Sequence, residues 1–235
     1  METKRAIFHP SISEQNGLAL LQDDDLNVLS VGISTGGAAE IQMLELEKPR
    51  QTDRQRHIIA TTIDEKGLAD TKKIIEELGL SDRIEAKLED VSKPMPYADG
   101  YFDFIYARLV LHYLNDNEMK CALAELHRVL KDGGRMFVVV KSVKDYTNSL
   151  PGAEFNPETG FTKTPIPKTI GTDSVRWRNR RLHTKETIEN FLNQAGFDVV
   201  DCTKEYNEQL FHDYMRTEVA EHPATVLETV VRKIR

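Results

Sequence analysis

The chain has 235 residues, enough for one α/β domain with a well-buried core. Its 38 acidic residues outnumber 31 basic ones, and a formal net charge of −7 gives no long-range attraction to nucleic acid or to an anionic membrane. No run approaches the ~20 apolar residues of a membrane span, no basic-then-apolar leader opens the chain, and Cys121 and Cys202 have neither metal nor disulfide-framework spacing. The expectation is a cytoplasmic protein without metal, its two thiols buried in apolar segments.

In chain order, strand-like and helix-like segments alternate. Residues 27–31 (NVLSV) form a short apolar run that ends in a Gly/Ser/Thr turn. Residues 38–47 then carry Ala38, Ile41 and Leu44 at helical spacing. Residues 57–63 (HIIATTI) are β-branched and stop at Asp64. A helix is expected over 67–78, closed by Gly79. Residues 83–88 and 102–107 read as strands, the second entered through the turn-rich Ala98-Asp99-Gly100.

The strongest helical periodicity follows. Met119, Ala122, Leu123, Leu126, Val129 and Leu130 share one face, and Asn115, Asp116 and Asn117 can each cap it. Asp132-Gly133-Gly134 ends that helix, and 135–141 (RMFVVVK) is a buried-type strand. From Ser142 the periodicity stops, with Pro151, Pro157, Pro165 and Pro167 close together. Residues 142–183 are therefore expected to be an irregular lid or substrate segment. Thr184 caps a helix with Ile188, Phe191, Leu192 and Ala195 on one face, Gly196 ends it, and strands are expected over 197–202 and 225–233. Residues 204–222 are expected as an insertion between them, helical, with Tyr206, Phe211 and Tyr214 used in core packing or a homodimer contact, lining of a substrate pocket being their alternative use. Repeated β-α units over 1–235 imply a single domain with a largely parallel sheet and helices on both faces.

Residues 32–37 (Gly-Ile-Ser-Thr-Gly-Gly) follow a strand and open a helix, the context in which a glycine-rich loop carries meaning. Glycines let backbone approach a ligand closely. In open α/β sheets that ligand lies beyond the carboxyl ends of the strands. Asp64, at the end of the second strand, suits a ribose diol; a helix N-cap is its alternative use. The loop alone fits G-x-G-x-x-G of dinucleotide oxidoreductases as well as the acidic-x-G-x-G-x-G of class I methyltransferases, with Ser34 at the middle glycine in both.

The downstream blocks separate these readings. Residues 96–105 (PYADGYFDFI), 109–114 (LVLHYL) and 123–138 (LAELHRVLKDGGRMFV) resemble, in order, segments of class I S-adenosylmethionine (SAM)-dependent methyltransferases. The resemblance spans about 28–202 and implies a Rossmann-like doubly wound seven-stranded mixed sheet with a reversed last strand. It further implies that Gly32, Ser34 and Gly36 line the methionine and ribose of SAM. Asp64 and Glu65 would hold the ribose hydroxyls, Asp90 and Val91 would meet the adenine, and Ala107 and Arg108 would border the methyl and the substrate. The chain departs from the family pattern at Ser30, where a carboxylate is usual, at Ser34, and in the spacing of Asp90 to Asp103.

Methyl transfer from a sulfonium is an in-line displacement, and a base is needed only if the acceptor must lose a proton. His112, just past the fourth strand, is the candidate base, with packing or capping as its alternative use. His183 and His212 are expected at the surface. Residues 176–181 (RWRNRR) form the one local basic cluster. If extended, they put Arg176, Arg178 and Arg180 on one face, suited to an anionic group of a small-molecule substrate, with Trp177 on the other face, pointing inward. A solvated charged strand is the plainer use of the same residues. The leading expectation is methyl transfer to an oxygen or nitrogen of a metabolite. The second is a catalytically weak SAM- or nucleotide-binding module that acts through partners.

Overall fold

The computed structural model describes residues 11–33, 35–48, 54–166, 176–210 and 222–234. Strands β1 (Asn27–Val31), β2 (His57–Thr62), β3 (Ile84–Leu88), β4 (Phe102–Arg108) and β5 (Leu130–Lys141) are parallel neighbours in the spatial order 3-2-1-4-5. Between β1 and β4 the winding reverses, so the crevice for a ligand opens at the carboxyl ends of these two strands. Helices α1 (Ile12–Ala19), α2 (Ala38–Glu45) and α3 (Glu65–Glu77) cover one face of the sheet, and α4 (Asp116–Val129) and α5 (Lys185–Gln194) cover the other. Along β4 the side chains alternate between two cores: Ile105 and Ala107 join α4 and α5, whereas Phe104 and Tyr106 join α1 and α2.

The far edge differs from the expected seven strands. Strand β11 (Ala224–Lys233) runs antiparallel to β5, which gives the reversed last strand. Its outer edge is paired twice, by β9 (Phe197–Val199) and by β10 (Lys204–Glu208), both antiparallel. The sheet therefore has eight strands, the edge position being filled by two short pieces. Residues 204–208 are strand rather than helix, and the Tyr206 hydroxyl donates to Glu228 within the hairpin. Phe211, Tyr214 and His212 lie outside the described residues.

The expected irregular segment 142–183 also contains order. Strands β6 (Glu154–Phe155), β7 (Thr162–Ile166) and β8 (Arg176–Arg180) form a separate antiparallel sheet. Pro165 sits within β7, opposite Trp177, so the prolines that argued against structure are carried by short strands. Trp177 is 42% exposed, with the Lys163 ammonium 5.1 Å from its ring, and so points outward. Cys121 and Cys202 are exposed rather than buried, one on the solvent side of α4 and one in the break between β9 and β10.

Helix α1 has little amphipathic pattern. Its signal is local: Ser11 and Glu14 stand at capping-box spacing, and the Ser11 amide donates to the Glu14 carboxylate at 2.9 Å. Gly17 seats the helix. A Cβ there would lie 2.6 Å from ring atoms of both Phe137 and Tyr106, which stack with centroids 5.6 Å apart. The sequence blocks in 96–138 prove to be structural cement. Asp103 accepts from the amides of Leu26 and Asn27 at 3.0 and 2.8 Å and so fixes where β1 starts. Arg128 donates to the carbonyls of Tyr97 and Met95 and pairs with Glu125 and Asp99. The Asp-Gly-Gly turn is a bulge inside β5, where the pairing steps from Phe102↔Leu130 to Phe104↔Arg135.

Candidate active site

The loop after β1 turns through positive φ at Gly32 (78°), Gly36 (63°) and Gly37 (73°) before α2 begins. At Gly32 the need is double, because a Cβ would also sit 3.1 Å from Cβ of Val110. The loop is tied to the end of β2 by the Ile33 amide, which donates to the Thr61 carbonyl at 2.8 Å. That bond brings Asp64 and Glu65 beside the loop. Both are exposed, and Asp64 also caps α3 by accepting from the Lys66 amide at 3.1 Å. The cap does not exhaust Asp64, since a carboxylate has capacity for several donors. Ser34 lies outside the described residues, and the side chain of Thr35 with it.

Beyond β3, Asp90 is exposed and folds back onto Ser92, accepting from its amide at 2.9 Å and its hydroxyl at 2.7 Å, while Val91 is buried. Beyond β4, Ala107 is fully buried in the core and Leu109 takes φ 54°. A left-handed Leu is strained, and here the strain folds Val110 over Gly32. No residue pattern announces Leu109.

Ser30, at the carboxyl end of β1, donates to Glu40 at 2.5 Å, with both side chains fully buried. A carboxylate therefore does reach the end of β1, but from α2. Sequence reasoning missed it because Glu40 reads as one polar residue on a short helix.

Arg108 does not stand open to the crevice. It donates to the hydroxyls of Ser13 and Ser11 at 2.6 and 2.7 Å, and lies 3.5 Å from both Glu14 and Glu208. Burial alone would lower the guanidinium's pKa, but Glu14, Tyr106 and Glu208 hold it above its usual value. It fastens α1 and β10 to the sheet. Tyr106, at its side, keeps a buried hydroxyl without a partner, and burial pushes its phenol up.

A second cluster gathers past β4 and β5. His112 lies in a single 3-10 turn, buried, its ring 4.3 Å from that of Tyr113. The chain after β8 is stitched over it: the Arg181 amide donates to the His112 carbonyl at 2.7 Å, and the His183 amide to the Lys141 carbonyl at 3.0 Å. His183 is 0% exposed, not at the surface. Lys141 pairs with Asp145 at 2.7 Å, and Thr147 also donates to that carboxylate. Arg178 donates to the Tyr113 hydroxyl at 3.1 Å and Arg180 is buried, so β8 directs these two arginines to one site, as alternation predicts; the side chain of Arg176 is not described. Burial, then Arg180, Lys141, His183 and Arg178, drive the His112 pKa well below the usual imidazole value. Burial and Arg181 push His183 down to about 3. Both rings are neutral at physiological pH, so His112 could accept a proton but is a weaker base than a free histidine.

Residues 29–138 match the family of methyltransferase domains. The match runs from within β1 to within β5 and so takes in the parallel part of the sheet. A ubiquinone/menaquinone biosynthesis C-methyltransferase (UbiE) of Pseudomonas savastanoi pv. phaseolicola is 30% identical over 129 residues, 53% of this chain and 48% of that protein. The chain thus spans about half the length of the curated relative it matches. A SAM-dependent methyltransferase of Methanosarcina mazei superposes with a TM-score of 0.66 at 18% identity, covering 92% of this chain and 95% of that one. The 1,6-didemethyltoxoflavin-N1-methyltransferase of Burkholderia thailandensis, solved with its substrate and S-adenosylhomocysteine, superposes at 0.60 with 16% identity, over 95% and 79% of the two chains. The matched region holds the glycine loop, Asp64 and His112 at the carboxyl end of the sheet. Among the described residues no helix is long and apolar enough to cross a membrane, and no group of three or more His, Cys, Asp or Glu could hold a metal.

Proposed function

We propose that the chain transfers the methyl group of SAM to an oxygen or nitrogen of a small-molecule acceptor that carries negative charge. The observation that carries this reading is the Ile33–Thr61 bond, which sets a left-handed glycine loop against the exposed carboxylates of Asp64 and Glu65. These residues fit the cofactor: Gly32 and Gly36 leave backbone free for the methionine part, and Asp64 and Glu65 suit a ribose diol. Ser34 would continue the loop, and Asp90 and Val91 would border the adenine. Bound SAM supplies an already activated methyl on sulfur. The chain's residues then align the acceptor and exclude water, an effect that can reach about 7–11 kcal/mol. Arg178 and Tyr113 would hold the acceptor below β8, and neutral His112 would take a proton where the nucleophile has one to lose. Arg108 and Ala107 would serve as support beneath the crevice rather than as contacts.

Titration calorimetry with SAM, S-adenosylhomocysteine and NADH side by side tests the cofactor. Binding of the first two is expected. No SAM binding at millimolar concentration sinks the enzyme reading, and NADH binding alone replaces it with an oxidoreductase. Carbon-13 methyl-labelled SAM, followed by NMR of products from a metabolite panel, then distinguishes oxygen, nitrogen and carbon acceptors by methyl shift.

The second reading, a catalytically weak binding module, rests on the uncharged Ser30 and on Ser34 at the middle glycine position. Glu40, hydrogen-bonded to Ser30, weakens that motive.

A further inference from the structure

Arg180 is 9% exposed, yet among the described residues no carboxylate pairs with it. Its Nη1 reaches only the Thr164 hydroxyl at 3.4 Å, and its Nε has no partner. A buried guanidinium without a counter-ion is costly and calls for an explanation. Lys141, the next buried cation, is already matched by Asp145, and Arg181 by Asp116 at 2.8 Å. The Arg181 amide, next in the chain, bonds the carbonyl of His112, a buried imidazole whose Nδ1 is unsatisfied, and His183, which acts on the same ring, leaves both Nδ1 and Nε2 unsatisfied. Four orphaned polar atoms on three buried side chains mark a place that lacks its ligand.

The sign of that ligand follows from the charges. Arg178, Arg180, Lys141 and His183 all act on His112, and Asp145 is the one carboxylate paired within this set. Among the described residues the cluster is thus one negative charge short at Arg180, and a second at exposed Arg178, which meets the hydroxyl and ring of Tyr113. We propose that Arg180, beside His112, is the seat of an ionised oxygen of the methyl acceptor, a carboxylate or a deprotonated hydroxyl. Arg180 is the counter-ion, neutral His112 donates a hydrogen bond, and Arg178 marks the solvent side from which the anion enters. A guanidinium presents a planar fork suited to oxyanions, which a lysine would not. The word acceptor rests on the methyl-transfer reading; the anion site itself does not.

The test uses the full chain at neutral pH and constant ionic strength, with and without S-adenosylhomocysteine. Formate probes for a carboxylate and 4-nitrophenolate for a deprotonated hydroxyl, by calorimetry and by thermal shift against chloride. At least one probe is expected to bind the native chain and raise its melting temperature. Arg180→Met and Arg180→Gln are expected to weaken that probe by about 10- to 100-fold, whereas Lys73→Met, on exposed α3, leaves it unchanged. Without anion, neither Arg180 variant should melt lower than the native chain, because each removes an uncompensated buried charge. Failure of both probes to bind, equal binding by the variants, or collapse of both variants' folds overturns the proposal. Anion binding without SAM binding leaves this site standing and removes only the methyl-transfer reading.

Discussion

The Ser30 hydroxyl donates to the Glu40 carboxylate at 2.5 Å, and neither side chain is exposed. A strand residue and a helix residue thereby lock the two ends of the glycine loop together. Ser30→Ala removes a donor from a buried carboxylate and is expected to cost about 1–3 kcal/mol of stability. Urea unfolding measures this directly. Ser30→Thr, which keeps the hydroxyl, should retain most of it; an unchanged midpoint in the alanine variant would show that the bond contributes nothing.

Arg108 joins α1 to β10 through Glu14 and Glu208, all within the protein interior. Arg108→Ala leaves two buried carboxylates facing each other without their cation. The expected loss is about 3–5 kcal/mol, the usual consequence of breaking a buried pair from one side. Arg108→Met combined with Glu208→Gln should recover part of it, which a chemical-denaturation cycle would reveal. Hydrogen exchange of α1 should accelerate in the single variant, because the hydroxyls of Ser11 and Ser13 each lose a donor as well.

His112 and His183 give stability a definite pH dependence. Both have folded-state pKa values below the ordinary 6.5, His183 at about 3. Below about pH 6.5 the unfolded chain binds protons that the folded chain refuses, so stability falls as pH falls. The slope is up to about 1.4 kcal/mol per pH unit for each histidine. Above pH 6.5 both states are neutral and this contribution is flat. His183→Gln should flatten the stability difference between pH 7.5 and pH 5, measured by urea unfolding at each. For the same reason, the acid limb of any methyl-transfer rate controlled by His112 should lie below pH 6.5 rather than at it.

The alternation of apolar runs and turns made the central sheet legible, because parallel strands buried on both faces read as continuous β-branched segments and α4 carries a full helical stripe. What escaped was order that does not depend on periodicity. Helix α1 is held by a capping box, by Gly17 against two rings and by the Arg108 network, none of which produces an amphipathic pattern. The β6–β8 sheet is short and proline-bearing, and β10 is a strand because β11 offers an open edge, a property of the partner rather than of residues 204–208. At the site, the glycine loop and Asp64 were readable from their place after β1 and β2. Arg178 and Arg180 were readable from alternation along 176–180. Glu40, Lys141 and His183 were not, since each becomes part of the site only when distant segments close over it. Arg108 illustrates the converse: its place after β4 suggested a substrate contact, but chain from both termini surrounds it.

Val110 lies over Gly32 as a consequence of the left-handed turn at Leu109. Gly32→Ala therefore meets two separable penalties. The positive φ of 78° costs a β-carbon about 1–2 kcal/mol wherever it occurs. The contact at 3.1 Å with Val110 adds a steric part that depends on the neighbour. Since the loop is the proposed SAM cradle, Gly32→Ala should weaken SAM binding about tenfold or more. Val110→Ala in the same chain should restore the steric part and leave the backbone part. Calorimetric titration of the two single variants and the double variant resolves the cycle. If Val110→Ala restored nothing, the close approach would be a packing coincidence and the backbone strain alone would account for the loss. If it restored everything, Gly32 would be required for room rather than for its conformation, and Leu109 would then be the residue that sets how closely the β4 end covers the loop.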